Sequence, residues 1–293
     1  WVDTATVTTG DMLDFKQGDR YRYSIPVAKP LQLDEIELPI DPYVLGVWLG
    51  DGHSCSNRMF CSYEDAGHFY NELALAGFSV EIVQAECAEL VIDRRDNNFC
   101  MYGHDKRVTG RTKKNGCSEC GRLYSLNSQR SKRGKPTKQF PPKTASFYRS
   151  LDSLGLIGNK HLPSQYLRAS RSQRLSLLQG LMDTDGHCTK SGRCEFVTTS
   201  VPIADAMRDL LASLGIKFTC KARVPKTTYK GKEVFGAMAY RFSFLVYEDT
   251  RVFRMPRKAD RQKSADRPGE AKSRRLVDIS PIASVPVRCI QVS

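Results

Sequence analysis

Apolar residues recur at helical spacing in two stretches that read as copies of one another. Val44-Leu-Gly-Val-Trp-Leu-Gly-Asp51-Gly52 returns as Leu178-Gln-Gly-Leu-Met-Asp-Thr-Asp185-Gly186, and a histidine follows each at once, His53 and His187. The likeness continues downstream. After a polar stretch, Met59-Phe60-Cys61-Ser62 leads into a helical pattern through Phe69, Leu73 and Ala76 that stops at Gly77-Phe78. In the second copy, Cys194 to Thr199 leads into a pattern through Ile203, Met207, Leu210, Leu211 and Leu214 that stops at Gly215-Ile216. A glycine closing a 3.6-residue period is a C-cap signal, because it adopts the left-handed conformation without a Cβ clash. Strand-like runs follow at Val80 to Ile92, and at Phe218 to Val224 with a return at Ala239 to Tyr247. Each unit reads as helix, two strands, helix, strands. The predicted fold class is α+β: tandem units related by a pseudo-two-fold axis.

Small residues sit on one face of each leading helix. Gly46 and Gly50 are four apart, and Gly180 and Thr184 hold the same places in the second copy. Such a face lets two backbones approach closely, and packing there would carry Asp51 and Asp185 to the same end of a shared seam. Two ordinary buried helices with glycine stops are the plainer alternative, but they leave the shared Asp-Gly-His unexplained. Position 49 is Leu where the second copy has Asp183, so Asp183 is assigned packing or capping. An acid at a helix C-terminus is opposed by the helix dipole, and two close acids repel. A divalent cation would offset both costs. The expected ligand set is Asp51 and Asp185 with Gly50 and Thr184, the expected ion Mg²⁺, and the chemistry phosphodiester hydrolysis.

Charge narrows the partner. The 293 residues carry 45 Lys and Arg against 32 Asp and Glu, a formal net charge of +13. That favours nucleic acid, though a membrane surface or solubility alone also fits. Hydrophobic residues make up 40%, enough for real cores, yet no apolar run is long enough to span a bilayer. The opening Trp1-Val-Asp-Thr lacks a signal-peptide pattern. Ten unevenly spaced cysteines in a chain of this size point to a reducing compartment. The expected location is the cytoplasm of a bacterial, archaeal or phage-infected cell.

Cys100, His104, Cys117 and Cys120 lie between the two copies with the spacing of a structural zinc set, and Gly103, Gly110, Gly116 and Gly121 supply turns. An unligated polar loop is the alternative. With almost no apolar core from 100 to 125, metal would have to supply the folding energy. The segment resembles small Cys-x-x-Gly-His…Cys-x-x-Cys zinc modules found beside nucleases. From Gly121 to Lys143 there are seven Lys or Arg and no acid, which reads as a flexible basic linker lying on phosphates. A helix from Thr144 to Leu154 is expected next. Arg251 to Arg275 holds ten basic residues against three acids, expected to wrap a duplex flank or merely to connect.

The doubled Asp-Gly motif, in register with matching downstream helices, resembles that of the two-motif monomeric LAGLIDADG homing endonucleases over roughly residues 40–250. The resemblance implies a site-specific, Mg²⁺-dependent monomer that cuts both strands of a long double-stranded DNA target and leaves 3′ overhangs. It implies metal-holding roles for Asp51 and Asp185, and a saddle-shaped antiparallel β-surface in the major groove. Basic residues near the scissile phosphates are expected in that family. The candidates are Lys221 and Arg241, with Arg94 and Arg95 as phosphate contacts. Arg130, Lys132, Arg133, Lys138, Lys160, Arg193, Lys226 and Lys230 are further candidate DNA contacts. Asn159-Lys160-His161-Leu162-Pro163 resembles the lead-in of intein-borne members. The two ends of the chain, Trp1 to Asp19 and Arg274 to Val292, resemble parts of a Hint splicing domain without its splicing centres, so no protein splicing is expected. The expected organisation is 1–39 Hint remnant, 40–98 first unit, 99–143 zinc insertion and linker, 144–250 second unit, and 251–293 basic stretch and Hint remnant. A cleavage-inactive DNA-binding protein, an RNA maturase of the same fold and a structural module using the helix pair as a dimer seam remain open.

Overall fold

The computed structural model describes residues 5–84, 87–93, 100, 102, 104–113, 116–139, 146–229, 232–246, 250–262, 273–280, 282–283 and 286. Short strands β1 (Lys16–Gln17), β2 (Arg20–Tyr21) and β3 (Ser24–Pro26) precede the first copy. That copy comprises α1 (Pro42–Asp51), β4 (Arg58–Cys61), α2 (Tyr63–Leu75), β5 (Val80–Gln84) and β6 (Ala88–Ile92). Then come α3 (Lys106–Thr109), α4 (Ser118–Lys132), α5 (Phe147–Ser153) and α6 (Ser164–Leu167). The second copy is α7 (Arg171–Thr184), β7 (Gly186–Cys188), β8 (Cys194–Thr198), α8 (Val201–Ser213), β9 (Phe218–Arg223), β10 (Lys226–Tyr229), β11 (Lys232–Phe235) and β12 (Ala239–Phe244). It is followed by α9 (Pro256–Ala259) and β13 (Ser273–Arg275). The fold is α+β, with all strand pairing antiparallel among the described residues.

Local sequence accounts for the helix starts. Asp41 accepts from the backbone amides of Tyr43 and Val44, and Pro42 occupies the first turn of α1, where its missing N–H costs nothing. Ser170 and Gln173 form a reciprocal capping box on α7. Ser62 and Ser200 cap α2 and α8. One continuous core holds Tyr43, Leu45 and Trp48 of α1, Leu177, Leu178 and Leu181 of α7, and the inner faces of α2 and α8.

The two copies differ in detail. The second sheet has the order β7-β8-β12-β9, the first β4-β6-β5. The counterpart of β7 in the first copy shrinks to a single bridge between Gly52 and Met59. The run Val80 to Ile92 is an antiparallel hairpin rather than one strand, with Val80 opposite Ile92 and Gln84 opposite Ala88. A second hairpin, β10-β11, lies where the sequence left a gap between two strands. The basic linker expected from 121 is in its first half a helix. α4 contains helix-favouring Arg122, Leu123, Leu126 and Gln129, and the next proline is Pro136, past its end.

In the stretch Arg251 to Arg275, Arg254 and Arg257 are engaged by the rest of the fold. Arg254 stacks on the Tyr43 ring at 4.1 Å and reaches Glu72 of α2 at 2.7 Å and Gln179 of α7 at 2.9 Å. Arg257 grips Asp65 of α2 with two hydrogen bonds, 2.7 and 2.5 Å. These contacts fasten the segment across both copies and remove Arg254 and Arg257 from the set of open phosphate ligands. At the ends, β13 pairs with β3, Arg274 opposite Ile25. Buried Arg174 donates to the carbonyls of Ala169, Ser213 and Leu31, tying the N-terminal segment to the second copy.

Candidate active site

α1 and α7 meet backbone to backbone. A Cβ on Gly46 would lie 3.0 Å from the Cα of Gly180 and from the Leu181 nitrogen, and closer still to the Leu177 carbonyl oxygen. A Cβ on Gly180 would lie 2.9 Å from the Gly46 Cα and 2.7 Å from the Val47 nitrogen. Only glycine fits at either place. One turn on, Gly50 faces Thr184, whose hydroxyl is turned onto the Gly180 and Leu181 carbonyls at 3.0 Å each.

The seam ends at the two acids. Asp51 is the last residue of α1 and is half-buried; Asp185 caps α7 at the rim. Burial, then the charge of Asp185, pushes the Asp51 carboxyl up to about 6, against the opposing pull of Lys258 and Lys160. Asp185 is raised too, by burial, and is held down by the same two lysines. The two acids therefore share one electrostatic environment, in which burial outweighs the pull of two lysines.

Two lysines cap the helix ends. Lys160 Nζ donates to the carbonyls of Leu49 (3.1 Å), Gly50 (3.3 Å) and Gly52 (2.5 Å), and lies 5.0 Å from the Trp48 ring centre. Buried Lys258 does the same for α7, donating to Met182 (3.2 Å), Asp183 (2.6 Å), Thr184 (3.0 Å) and Gly186 (2.8 Å). Each ammonium meets a negative helix end and the orphan carbonyls of the last turn. Burial lowers the pKa of both lysines, and nearby carboxylates oppose that shift. Lys160 is thus not the outward-facing DNA contact expected from sequence. Lys258 was overlooked because it lay within a charge run. The available signal was a repeat of role: one lysine for each Asp-Gly helix end. Lys258→Met is expected to cost about 3 kcal/mol, because four carbonyls lose a buried charged donor. A urea denaturation midpoint unchanged from wild type would contradict this.

Asp183 is the polar anchor behind the seam. Tyr43 donates to it at 2.8 Å, and the amides of Arg254 and Met255 donate at 3.1–3.2 Å. It has no opening toward the acid pair's solvent side, as its side chain is fully buried. His53 accepts from the Cys55 amide and meets the Ser56 hydroxyl at 3.1 Å, a turn arrangement. His187 stands opposite Glu195 on the outer face of the second sheet.

Lys221 and Arg241 are cross-strand partners on that same outer face, both exposed, with Arg241 3.5 Å from Glu195. Neither is among the charges that shift Asp51 or Asp185. Arg193 is exposed just before β8, and Lys226 on β10 pairs with Glu233 at 2.5 Å. Arg130 donates to the Pro136 carbonyl at 2.6 Å, while Lys132, Arg133 and Lys138 are exposed. Arg94, Arg95 and Lys230 lie outside the described residues.

A second constellation lies apart from the seam in sequence. Cys100, His104, Cys117 and Cys120 converge, their ligand atoms all within 4.8 Å of one another. Cys100 Sγ is 3.6 Å from Cys120 Sγ, and His104 Nδ1 is 3.4 Å from Cys120 Sγ and 3.7 Å from Cys117 Sγ. A tetrahedral ion with Zn–S near 2.3 Å and Zn–N near 2.0 Å has edges of about 3.8 Å for S–S and about 3.5 Å for S–N. The cluster fits that ion closely.

Residues 172–245 match the family model of a LAGLIDADG-like domain. The match runs from the second residue of α7 to the end of β12, so it takes in one helix of the seam, Asp185 and the whole four-stranded sheet. A replicative DNA helicase DnaB from Mycobacterium intracellulare is 26% identical over 275 residues, 93% of this chain and 35% of that protein. The chain therefore spans about a third of the length of that curated relative. Among solved structures, mesophilic variants of the homing endonuclease I-DmoI align at 14% identity with a TM-score of 0.33, over 71% of this chain and 89% of theirs. I-DmoI in complex with DNA and Ca aligns at 13% identity with a TM-score of 0.32, over 71% of this chain and 83% of that one.

Proposed function

We propose that the chain is a site-specific homing endonuclease that hydrolyses both strands of a long double-stranded DNA target and leaves 3′ overhangs. The observation that carries this reading is the seam: two glycine-lined helices in backbone contact, each ending at an acid whose carboxyl pKa is raised by burial. The LAGLIDADG-like match over residues 172–245 supports it. So does the excess of 45 basic over 32 acidic residues, which suits a polyanionic substrate. The intein origin is part of the same proposal. Alignment of nearly the whole chain with about a third of a helicase is what an inserted element would give.

The donor set suits a hard divalent cation. Asp51 and Asp185 supply anionic oxygens, and their raised pKa values report a site that gains from added positive charge. The carbonyls of Gly50 and Thr184 already accept from Lys160 and Lys258, so the carboxylates are the primary ligands. Bound Mg²⁺ would supply a polarised phosphate and an activated water. Around it, Lys160 and Lys258 hold the helix ends and pull both carboxyl pKa values down, against burial. Asp183, Tyr43 and Arg254 fix the seam from behind. The outer face of the second sheet offers Lys221, Arg223 and Arg241 to DNA. The Cys100, His104, Cys117, Cys120 cluster holds a structural zinc ion.

Incubation of the full chain with duplex carrying its insertion-site sequence is expected to give double-strand cuts with Mg²⁺ and none when EDTA replaces it. Salt-sensitive duplex binding without cleavage would favour a DNA-binding protein of this fold. No duplex affinity at all would favour a structural module.

A further inference from the structure

The cysteine cluster is joined to a helix that has little else to hold it. Cys117 is the N-cap of α4 and makes no capping hydrogen bond; Cys120 lies in the first turn and is the helix's one buried residue. Cys100 and His104 come from the loop before it. An α-helix of 15 residues with a single buried side chain is not oriented by a hydrophobic core. A metal joining its first turn to the preceding loop would do that work.

What this helix carries is charge. Between residues 100 and 139 the sequence has eleven Lys or Arg and two acids. Both acids are engaged locally, Asp105 with Arg107 at 2.7 Å and Glu119 with Arg122 at 2.8 Å. Past the helix, the chain folds back along it. Asn127 bonds the backbone of Lys138 on both sides, at 2.9 and 2.8 Å, and Arg130 holds the Pro136 carbonyl. That return sets Lys135 against the last turn of α4, next to Lys132 and Arg133, and Lys138 alongside the helix at Asn127, and all four cations are exposed. A pinned cluster of cations without local acids suits a run of phosphates better than it suits solubility, for which scattered charge serves equally.

We infer that the zinc-clamped α4 and its return segment form a separate arm that grips the phosphates of duplex DNA, and that the grip depends on the metal. This rests on the endonuclease reading for its partner, but makes no use of Asp51 or Asp185.

The test measures binding of the full chain to a short random-sequence duplex by fluorescence anisotropy, without added Mg²⁺, across a salt series. The variant K132Q/R133Q/K135Q/K138Q should keep one zinc per chain and bind at least about tenfold more weakly near 0.15 M salt. Its slope of log K against log salt should be shallower by about 3 to 4. C117S/C120S should lose the zinc and show the same loss of affinity. Wild-type affinity and slope in the four-residue variant would overturn the arm. Less than one zinc per wild-type chain, or full binding by a folded, zinc-free C117S/C120S protein, would overturn the metal dependence. Asp51→Asn that binds duplex fully but does not cut separates this outcome from the catalytic one. A wild-type chain with no duplex affinity would overturn both readings.

Discussion

Asp51→Asn is expected to lower double-strand cleavage by about a thousandfold or more while making the metal-free protein more stable at neutral pH. Loss of a metal-holding carboxylate removes several kcal/mol of transition-state stabilisation, and about 4 kcal/mol is about a thousandfold in rate. The stability effect runs the other way. The Asp51 carboxyl binds its proton more tightly when folded, at about 6, than the ordinary aspartate value of 3.8. Between those values the folded state holds a proton that the unfolded state has released. Stability is therefore highest below about pH 4 and declines as pH rises through about 6. The full difference is at most about 3 kcal/mol, reduced by partial exposure of the site. Asparagine carries no charge and so escapes the penalty. Thermal melts of the two proteins in EDTA should converge near pH 4 and separate by pH 7.5, with the variant higher. Asp185→Asn should act in the same direction. Cleavage persisting in both single variants would sink the assignment of chemistry to this pair, and a variant melting below wild type at pH 7.5 would sink the electrostatic account.

Gly46→Ala and Gly180→Ala should each destabilise the protein, against the sign that helix propensity predicts. In an ordinary helix interior, alanine in place of glycine gains about 1 kcal/mol. Here the added methyl meets backbone of the facing helix at 3.0 Å or less, and backbone cannot turn aside as a side chain can. Overpacking costs of about 1–3 kcal/mol, and more against a rigid neighbour, exceed the propensity gain. A net loss near 2 kcal/mol, read from urea denaturation, is the expected result. Separation of the helices would also misplace the two acids, so cleavage should fall more than stability alone explains. Gly50→Ala is a control. Its methyl would meet the Thr184 side chain, and pairing it with Thr184→Gly should restore stability. Stabilisation by Gly46→Ala or Gly180→Ala would mean that the helices do not touch in solution as described.

The duplication, the apolar helix faces, the turn glycines and the Cys/His spacing could all be read from the sequence. These are local or periodic features, and period and spacing survive in one dimension. The glycine pattern also foretold close contact, because absence of a side chain has few other uses in the middle of a buried helix. What failed was reading charge. Lys160 reads as a DNA contact and Lys258 as part of a basic run, yet each has its ammonium on the end of a helix distant in sequence. Arg254 and Arg257 belong to a stretch that reads equally as a DNA wrap or a mere connection, and they tie α2 to the segment after β12. A run of Lys and Arg looks the same whether its side chains point to solvent or to buried carbonyls. The linker after Cys120 was misread for a related reason: its polarity hid a helix whose anchor is a ligand set rather than a core.

The sequence by itself determined that two similar units would each end a glycine-bearing helix at an acid, since those residues and their spacing are written in the chain. Only the tertiary structure decided which cations stand beside those acids. Salt bridges and carbonyl caps depend on direction and burial, and residues seventy or more positions apart acquire both only when the helices pack.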